Sequence, residues 1–401
     1  MGKKQKISLS ILLMNLFIAF LGIGLIIPVL PTLMNELNIS GATVGFLTAA
    51  FALTQLIVSP FAGKAADKFG RKIMIVLGLF IFGFSEFLFG LGKTVEVLFI
   101  SRILGGISGA FIMPAVTAFI ADTTDMNTRP KALGYMSAAI STGFIIGPGI
   151  GGFLADIGTR VPFYTAGVLG IVAAVLSIVL LTEPDRQEMS MTKEAEGEQS
   201  SLKKIMMPMF LIAFIVIFVS SFGLAAFESF FSLFVDHKFS FTPKDIAIAI
   251  TGGAVLGAIF QVALFDKLTK LIGEISLIRW SLVLSGILVF VLTLVNSYWA
   301  IMAVVFTVFI GFDLIRPAVT TYLSRIAGND QGFVGGMNSF FTSLANVLGP
   351  IIGGQLFDID INYPFYLGAV VVSAGFAITM FWKSPSDETQ SLKLETQKYN
   401  G

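Results

Sequence analysis

Gly147-Pro148-Gly149-Ile150-Gly151-Gly152 and Gly349-Pro350-Ile351-Ile352-Gly353-Gly354 stand 202 residues apart, each inside a long apolar run. Both continue to an aspartate, as Leu154-Ala155-Asp156 and Leu356-Phe357-Asp358, and then to Pro162-Phe163-Tyr164 and Pro364-Phe365-Tyr366 at the same offset. Upstream, Pro114-Ala115-Val116-Thr117 recurs as Pro317-Ala318-Val319-Thr320 at an offset of 203. A drift of one residue over that distance fits two diverged copies of one unit of roughly 200 residues. Two such copies in a very apolar chain mark a transporter built from structural repeats.

Composition sets the solvent. Of 401 residues, 55% are hydrophobic and only 13% charged, and the mean hydropathy is +0.87. A helix of about 20 apolar residues spans a bilayer, and with no water to satisfy backbone groups only helices and closed barrels cross. Runs this long exclude the alternating pattern of a barrel. The chain has no cysteine and one histidine, His237, so thiolate sites, a zinc cluster and a Ser-His-Asp constellation have no material. No metal, cofactor or enzymatic activity is expected. The net charge of +1 points to no nucleic-acid partner.

Apolar runs between charged or Gly/Pro/Asn punctuation predict twelve spans, near residues 8–33, 42–62, 73–91, 97–121, 132–155, 162–182, 206–234, 244–265, 275–295, 298–324, 333–356 and 363–382. The expected fold is therefore an all-α integral membrane protein of twelve transmembrane helices. It divides into a six-helix half over 1–182, a polar linker over 183–205, a second six-helix half over 206–383 and a tail over 384–401. Linker and tail, rich in Glu, Ser and Lys, are not expected to fold. Basic residues Lys3, Lys4 and Lys6 precede the first run, but its length and the lack of a small-residue cleavage site favour a spanning helix over a signal peptide. The odd-numbered connections hold only Lys93, Arg160, Lys238 and Lys244, whereas the even-numbered connections and both ends are basic. Both termini are therefore expected in the cytoplasm.

Four groups of residues stand out. Gly63-Lys64-Ala65-Ala66-Asp67-Lys68-Phe69-Gly70-Arg71-Lys72 links spans two and three; Gly63 and Gly70 suit a tight turn, Asp67 a helix cap, and Arg71 and Lys72 a cytoplasmic anchor. An ordinary positive-inside hairpin explains that loop equally well. Gly143, Gly147 and Gly151, with Gly152, flatten one face of span five for close packing, and Pro148 interrupts its hydrogen-bond ladder. Arg102 lies five residues into span four, where a basic side chain costs about 2.5 to 3.5 kcal/mol on insertion scales. It either snorkels to the outer surface or faces a neighbouring helix across Gly106, and Glu86 in span three poses the same choice.

The fourth group is acidic. Glu228 sits among phenylalanines in Leu224-Ala225-Ala226-Phe227-Glu228-Ser229-Phe230-Phe231, with no basic residue until Lys238. An intramembrane ionisable side chain is functional by default, and a carboxyl group there is a natural proton carrier. Asp313 and Arg316 share a helix face at a spacing of three, so they either form a structural ion pair or act in transport. Gln55, Gln261, Asn338 and Asn346 are polar residues that can glue helices together. Phe144, Phe227, Phe230 and Phe309 lie within a turn of a motif or charge and are expected to line a cavity suited to bulky amphiphilic cations.

The loop Gly-x-x-x-Asp-Lys-x-Gly-Arg-Lys resembles the signature of the major facilitator superfamily, and Asp266-Lys267 with Gly273 is its remnant in the second half. Arg102-x-x-x-Gly106 resembles that family's second signature, and Gly143-x-x-x-Gly147-Pro148-x-x-Gly151-Gly152 the antiporter signature of its drug-efflux members. With Phe20 to Leu25 and Pro28, Ser221 to Leu224, Phe227-Glu228, and Gly311-Phe312-Asp313 with Arg316-Pro317, the chain resembles the twelve-helix drug:proton antiporters of Gram-positive multidrug efflux. The resemblance implies that Arg102, Glu228, Asp313 and Arg316 act in proton coupling and that Glu228 and Asp313 recognise cations. It further implies that Phe144, Phe309 and Asn338 line the substrate pocket and that the Asp67-Arg71 loop latches one alternating conformation. The expected function is export of lipophilic cationic or zwitterionic compounds against protons, by a monomer in the plasma membrane. Uptake by proton symport, or export of one specific metabolite, is the alternative on the same fold.

Overall fold

The computed structural model describes residues 3–125, 128–184, 207–327 and 331–382, and among them it holds helices and no strand. Most of the linker and the whole tail lie outside the described residues. Helix α1 (Lys3–Ile26) continues through a 3-10 turn, Ile27–Val29, into a short helix, Leu30–Leu37. There follow α2 (Gly41–Phe69), α3 (Arg71–Leu91), α4 (Val95–Thr123), α5 (Arg129–Ala155) and α6 (Val161–Leu180). The second set is α7 (Pro208–Phe239), α8 (Pro243–Ile272), α9 (Glu274–Leu294), α10 (Tyr298–Ala327), α11 (Gln331–Ile359) and α12 (Tyr363–Thr379). Eleven spans among the described residues are long and apolar enough to cross a bilayer, and α12, with 17 residues, is a shorter apolar helix. The chain is a multi-pass membrane protein.

The repeat read from the glycine motifs is written into the packing. In the first set α1 packs on α5 and α6, α2 on α4, and α3 on α4 and α6; adding six to each number gives the principal pairings of the second set. Local chain geometry repeats as well. Asn38 and Ser240, 202 residues apart, are the only described non-glycine residues with positive φ, at 52° and 54°. Two residues later Ser40 caps α2 through the Thr43 amide, and Thr242 caps α8 through a capping box with Asp245. The α2–α3 and α8–α9 corners turn on Gly70 (φ 107°) and Gly273 (φ 79°), backbone that glycine adopts without strain.

Helices overrun several expected spans. Helix α2 is helical through Phe69, so Gly63 lies inside it rather than in a turn, with open space where a side chain would stand. Asp67 does not cap α3; it occupies the last turn of α2 and pairs with Arg71. The amides of Arg71 and Lys72 are instead satisfied by Glu183, at 2.6 and 2.8 Å. A carboxylate from the first residue of the linker thus supplies the negative charge favoured at a helix N-terminus.

Large apolar side chains such as Leu53, Val262, Trp280, Trp299 and Phe381 point outward, as a lipid solvent allows. Buried residues cluster largely within each half, and Met34 and Val44 of the first half join the cluster of the second. The halves meet chiefly where α2 crosses α11 and α5 crosses α8.

Candidate functional site

The twin glycine motifs each work in two directions. On α5, Gly143, Gly147 and Gly151 face the α1 backbone at Phe17, Leu21, Gly24 and Leu25; a side-chain carbon at Gly143 would come within 2.7 Å of the Phe17 carbonyl oxygen. Gly149 and Gly152 face the other half, against Thr251 and Pro243 with Ala247 of α8. The second copy repeats this: Gly349 and Gly353 lie against α7, while Gly354 meets Gly41 across the halves, and Gly45 of α2 meets the Pro350 carbonyl. Small residues therefore let backbones approach both within and between the halves.

All of these crossings lie toward one end of the bundle, with polar clasps beyond them. Asn35 donates to Asp236 at 3.0 Å, Asp156 pairs with Lys244, and Asp358 accepts from the Gly41 and Ala42 amides. At the opposite, basic end, Gly63, Gly134, Gly335 and Gly336 face open space, with no atom within 4 Å of where a side-chain carbon would stand. The described contacts between the halves are thus concentrated at one end.

A cavity of about 380 Å³ lies between them. Helix α7 contributes Ser220, Ser221, Phe227 and Glu228; α10 contributes Phe309, Asp313 and Arg316; α5 contributes Phe144. Spacings of four and three put the α10 set on one helix face, and a spacing of seven does the same for Ser220 with Phe227 and Ser221 with Glu228 on α7. Glu228 is exposed to this interior space, and Phe144 is 40% exposed and set against Phe20 at 5.0 Å. Phe227 and Phe309 meet edge to face at 5.9 Å.

Asp313 is seated by an absence of bulk: Gly257 of α8 faces its carboxylate, and Gly253, one turn earlier, faces the Phe309 ring. No ion pair within 4.0 Å joins Asp313 to Arg316 among the described residues.

The structure gathers Phe144, Phe227, Phe309, Glu228, Asp313 and Arg316, but not every expected residue. Phe230 points the other way, fully buried and stacked on Phe357 at 5.6 Å beside Gly353. Asn338 is not among the lining residues, and its side-chain oxygen is buried without a hydrogen bond. Gln261, Thr342 and Asn346 do line the cavity. The i, i+4 spacing of Thr342 and Asn346 was the available signal, masked by the helix-gluing role open to any polar residue.

Arg102 does not snorkel. Its side chain is 15% exposed, lies over Phe89 at 4.1 Å from the ring centre, and pairs with Glu86 at 3.6 Å. Glu86, 2% exposed, is interior too. Gly106 permits this depth by meeting the Phe51 carbonyl of α2. Arg102 opens on a second chamber of about 250 Å³, which shares Ile27 and Glu228 with the first as walls. In the signature loop, Arg71 pairs with Asp67 and, at 3.0 Å, with Asp122, all within the first half.

The pattern described as Major Facilitator Superfamily matches residues 12–237 and again 213–399, a match to each repeat. The chain belongs to the major facilitator superfamily. Within that superfamily it is 66% identical, over 384 residues, to "Multidrug resistance protein 1" of Bacillus subtilis, covering 96% of this chain and 98% of that protein. It is 48% identical over 373 residues to "Quinolone resistance protein NorA" of Staphylococcus aureus, covering 93% and 96%. Among solved structures, a bacterial homologue of the human lysosomal transporter Spinster, inward-facing and occupied, aligns with a TM-score of 0.77 at 17% identity over 95% of this chain and 97% of that one. The nucleoside transporter NupG aligns with a TM-score of 0.77 at 15% identity over 95% and 100%. At such identities these two speak for the fold alone.

Proposed function

We propose that this chain is a proton-coupled multidrug exporter of the plasma membrane, a monomer carrying lipophilic cations and zwitterions outward in exchange for protons, and not an enzyme. The observation that carries the reading is the joining of Glu228 and Asp313 with Phe144, Phe227 and Phe309 around one cavity between the halves. Carboxylates attract a cation, rings accept its flat apolar body, and the acids exchange the cation for protons. The names of the two relatives, multidrug and quinolone resistance, support the same reading.

With the basic end in the cytoplasm, as the positive-inside rule favours, the cavity faces inward and both termini are cytoplasmic. A drug enters from the cytoplasm or inner leaflet while the acids are ionised. Rocking of the halves over 1–182 and 206–383 about the α2–α11 and α5–α8 crossings then turns it outward, and entering protons displace it. Arg71 with Asp67 and Asp122 is the latch of the other conformation. One proton moved across 100 mV supplies about 2.3 kcal/mol, roughly a fifty-fold gradient. A monocation leaving against one proton cancels that electrical term, so a pH gradient or a second proton then drives export.

The test is Glu228→Gln in inverted vesicles. The variant is expected to insert normally and to lose proton-driven accumulation of a fluorescent cationic dye. Undiminished accumulation removes Glu228 from the mechanism, and proton-driven loss of dye from the vesicles replaces export by uptake.

A further inference from the structure

The second chamber adds chemistry that a cation site does not need. Its walls are apolar residues of α1 and α2, chiefly Ile23, Val44 and Leu47, with Phe89, Thr48, Ser229 and Ser232, one acid and one guanidinium. The acid is Glu228, which also lines the larger cavity, and the guanidinium is Arg102. Arg102 is held, not consumed. Phe89 covers one face, and its closest acid, Glu86, stands at 3.6 Å and forms no hydrogen bond with it. The Nε and Nη2 donors both lack hydrogen-bond partners, and so does the Glu86 Oε2. Nε and Nη2 form the side-on fork of a guanidinium, whose two parallel N–H bonds match the two oxygens of one carboxylate. Both donors are enclosed, Nη2 facing Glu86 at 3.6 Å, and unsatisfied buried donors favour a ligand that draws the guanidinium toward the chamber it lines.

We propose that the chamber beside Arg102 is a carboxylate subsite, and that the preferred substrates are zwitterions whose ammonium end lies at Glu228 and whose carboxylate reaches Arg102. The inference rests on the drug-export reading and refines its substrate class. The larger cavity, whose walls include Asp313, holds the apolar body. Glu228, as the shared wall, meets the cationic end of a molecule lying across both chambers. Ser229 and Ser232 of α7 add hydroxyls to the chamber wall, whereas the Thr48 hydroxyl already donates to the Val44 carbonyl at 3.0 Å. A simple monocation occupies only the larger cavity, leaves the fork open and binds less tightly than a zwitterion of the same body.

The test compares ciprofloxacin, a zwitterion at neutral pH, with its methyl ester, a monocation, by fluorescence titration of the full-length purified protein. The zwitterion is expected to bind about tenfold or more tightly than the ester, and Arg102→Gln is expected to bring that ratio close to one while the ester still binds. If Arg102→Gln does not purify folded, Thr48→Leu, which fills the chamber without touching the charges, is expected to lower the ratio in the same way. A ratio unchanged in the folded variant, or an ester bound as tightly as the acid by the unaltered protein, overturns the subsite and leaves the export reading standing. Failure of the unaltered protein to bind either compound overturns both.

Discussion

Asp358, near the end of α11, accepts hydrogen bonds from the Gly41 amide at 2.6 Å and the Ala42 amide at 3.0 Å, at the first turn of α2 in the opposite half. Its repeat partner, Asp156 at the end of α5, faces the equivalent turn of α8, where Pro243 and Lys244 stand in place of Gly41 and Ala42. Proline has no amide hydrogen to give, and Asp156 pairs with the Lys244 side chain instead. The same clasp is thus built twice by different chemistry, and the two should differ in strength.

Asp358→Ala removes an acceptor held by two amides at a helix N-terminus. Hydrogen bonds to a charged group are worth about 1.5 to 3 kcal/mol, so the ratio of sealed to open molecules at this end should fall by roughly ten- to a hundredfold. The chain has no cysteine, so spin labels on a pair of introduced cysteines across the α2–α11 crossing read this directly. A distance distribution identical to that of the parent protein refutes the clasp.

Asp156→Asn breaks a pair whose members are 52% and 45% exposed. Such pairs contribute about 0.2 to 1 kcal/mol and weaken with salt. The same spin-label measurement should show a shift of less than about fivefold, smaller still at high salt. A shift equal to that of Asp358→Ala contradicts the ranking.

Glu86 and Arg102 should show the energetics of an interior ion pair. Removing one partner strands a charge and costs about 3 to 5 kcal/mol, whereas removing both costs far less. Glu86→Gln with Arg102→Gln should therefore unfold in detergent at a temperature nearer the parent protein than Arg102→Gln alone. Equal losses that simply add would mean the two side chains do not sense each other.

Gly257→Ala places a carbon against the Asp313 carboxylate and close to the Phe309 carbonyl. Overpacking of this kind costs about 1 to 3 kcal/mol, so the variant should unfold at lower temperature and bind a cationic dye several-fold more weakly. Gly134→Ala, in open space on α5, should unfold no earlier than the parent. Equal behaviour of the two variants removes the seat of Asp313 from the account.

The repeat, the helices and the acids were legible because each is local or self-similar. Apolar length announces a span, the offset of 202 announces the second copy, and a glutamate among phenylalanines is conspicuous whatever surrounds it. What stayed hidden depends on rotation and neighbours. Phe227 and Phe230 are three apart, yet one meets Phe309 beside the cavity and the other stacks on Phe357. The Glu86–Arg102 pair needed the packing of α3 on α4 to become visible. Glu183 at the start of α3 lies more than a hundred residues from the amides it satisfies, beyond the reach of any capping pattern.

Asp313 and Arg316 test how far spacing alone is informative. A separation of three on a helix puts two side chains on one face, and the sequence leaves a structural ion pair open. In the structure both line the cavity, Asp313 lies toward Gly257, and no ion pair within 4.0 Å joins them. Breaking a structural ion pair strands a charge that the double change removes, whereas side chains that make no ion pair give no such rescue. The thermal stabilities of Asp313→Asn, Arg316→Ala and the double variant should therefore add, with no rescue in the double. Each single change should weaken proton-driven dye export through its own place on the cavity wall, the aspartate by losing an acid and the arginine by losing a positive charge that balances Glu228. Restored stability in the double variant, with export intact, would establish the structural ion pair.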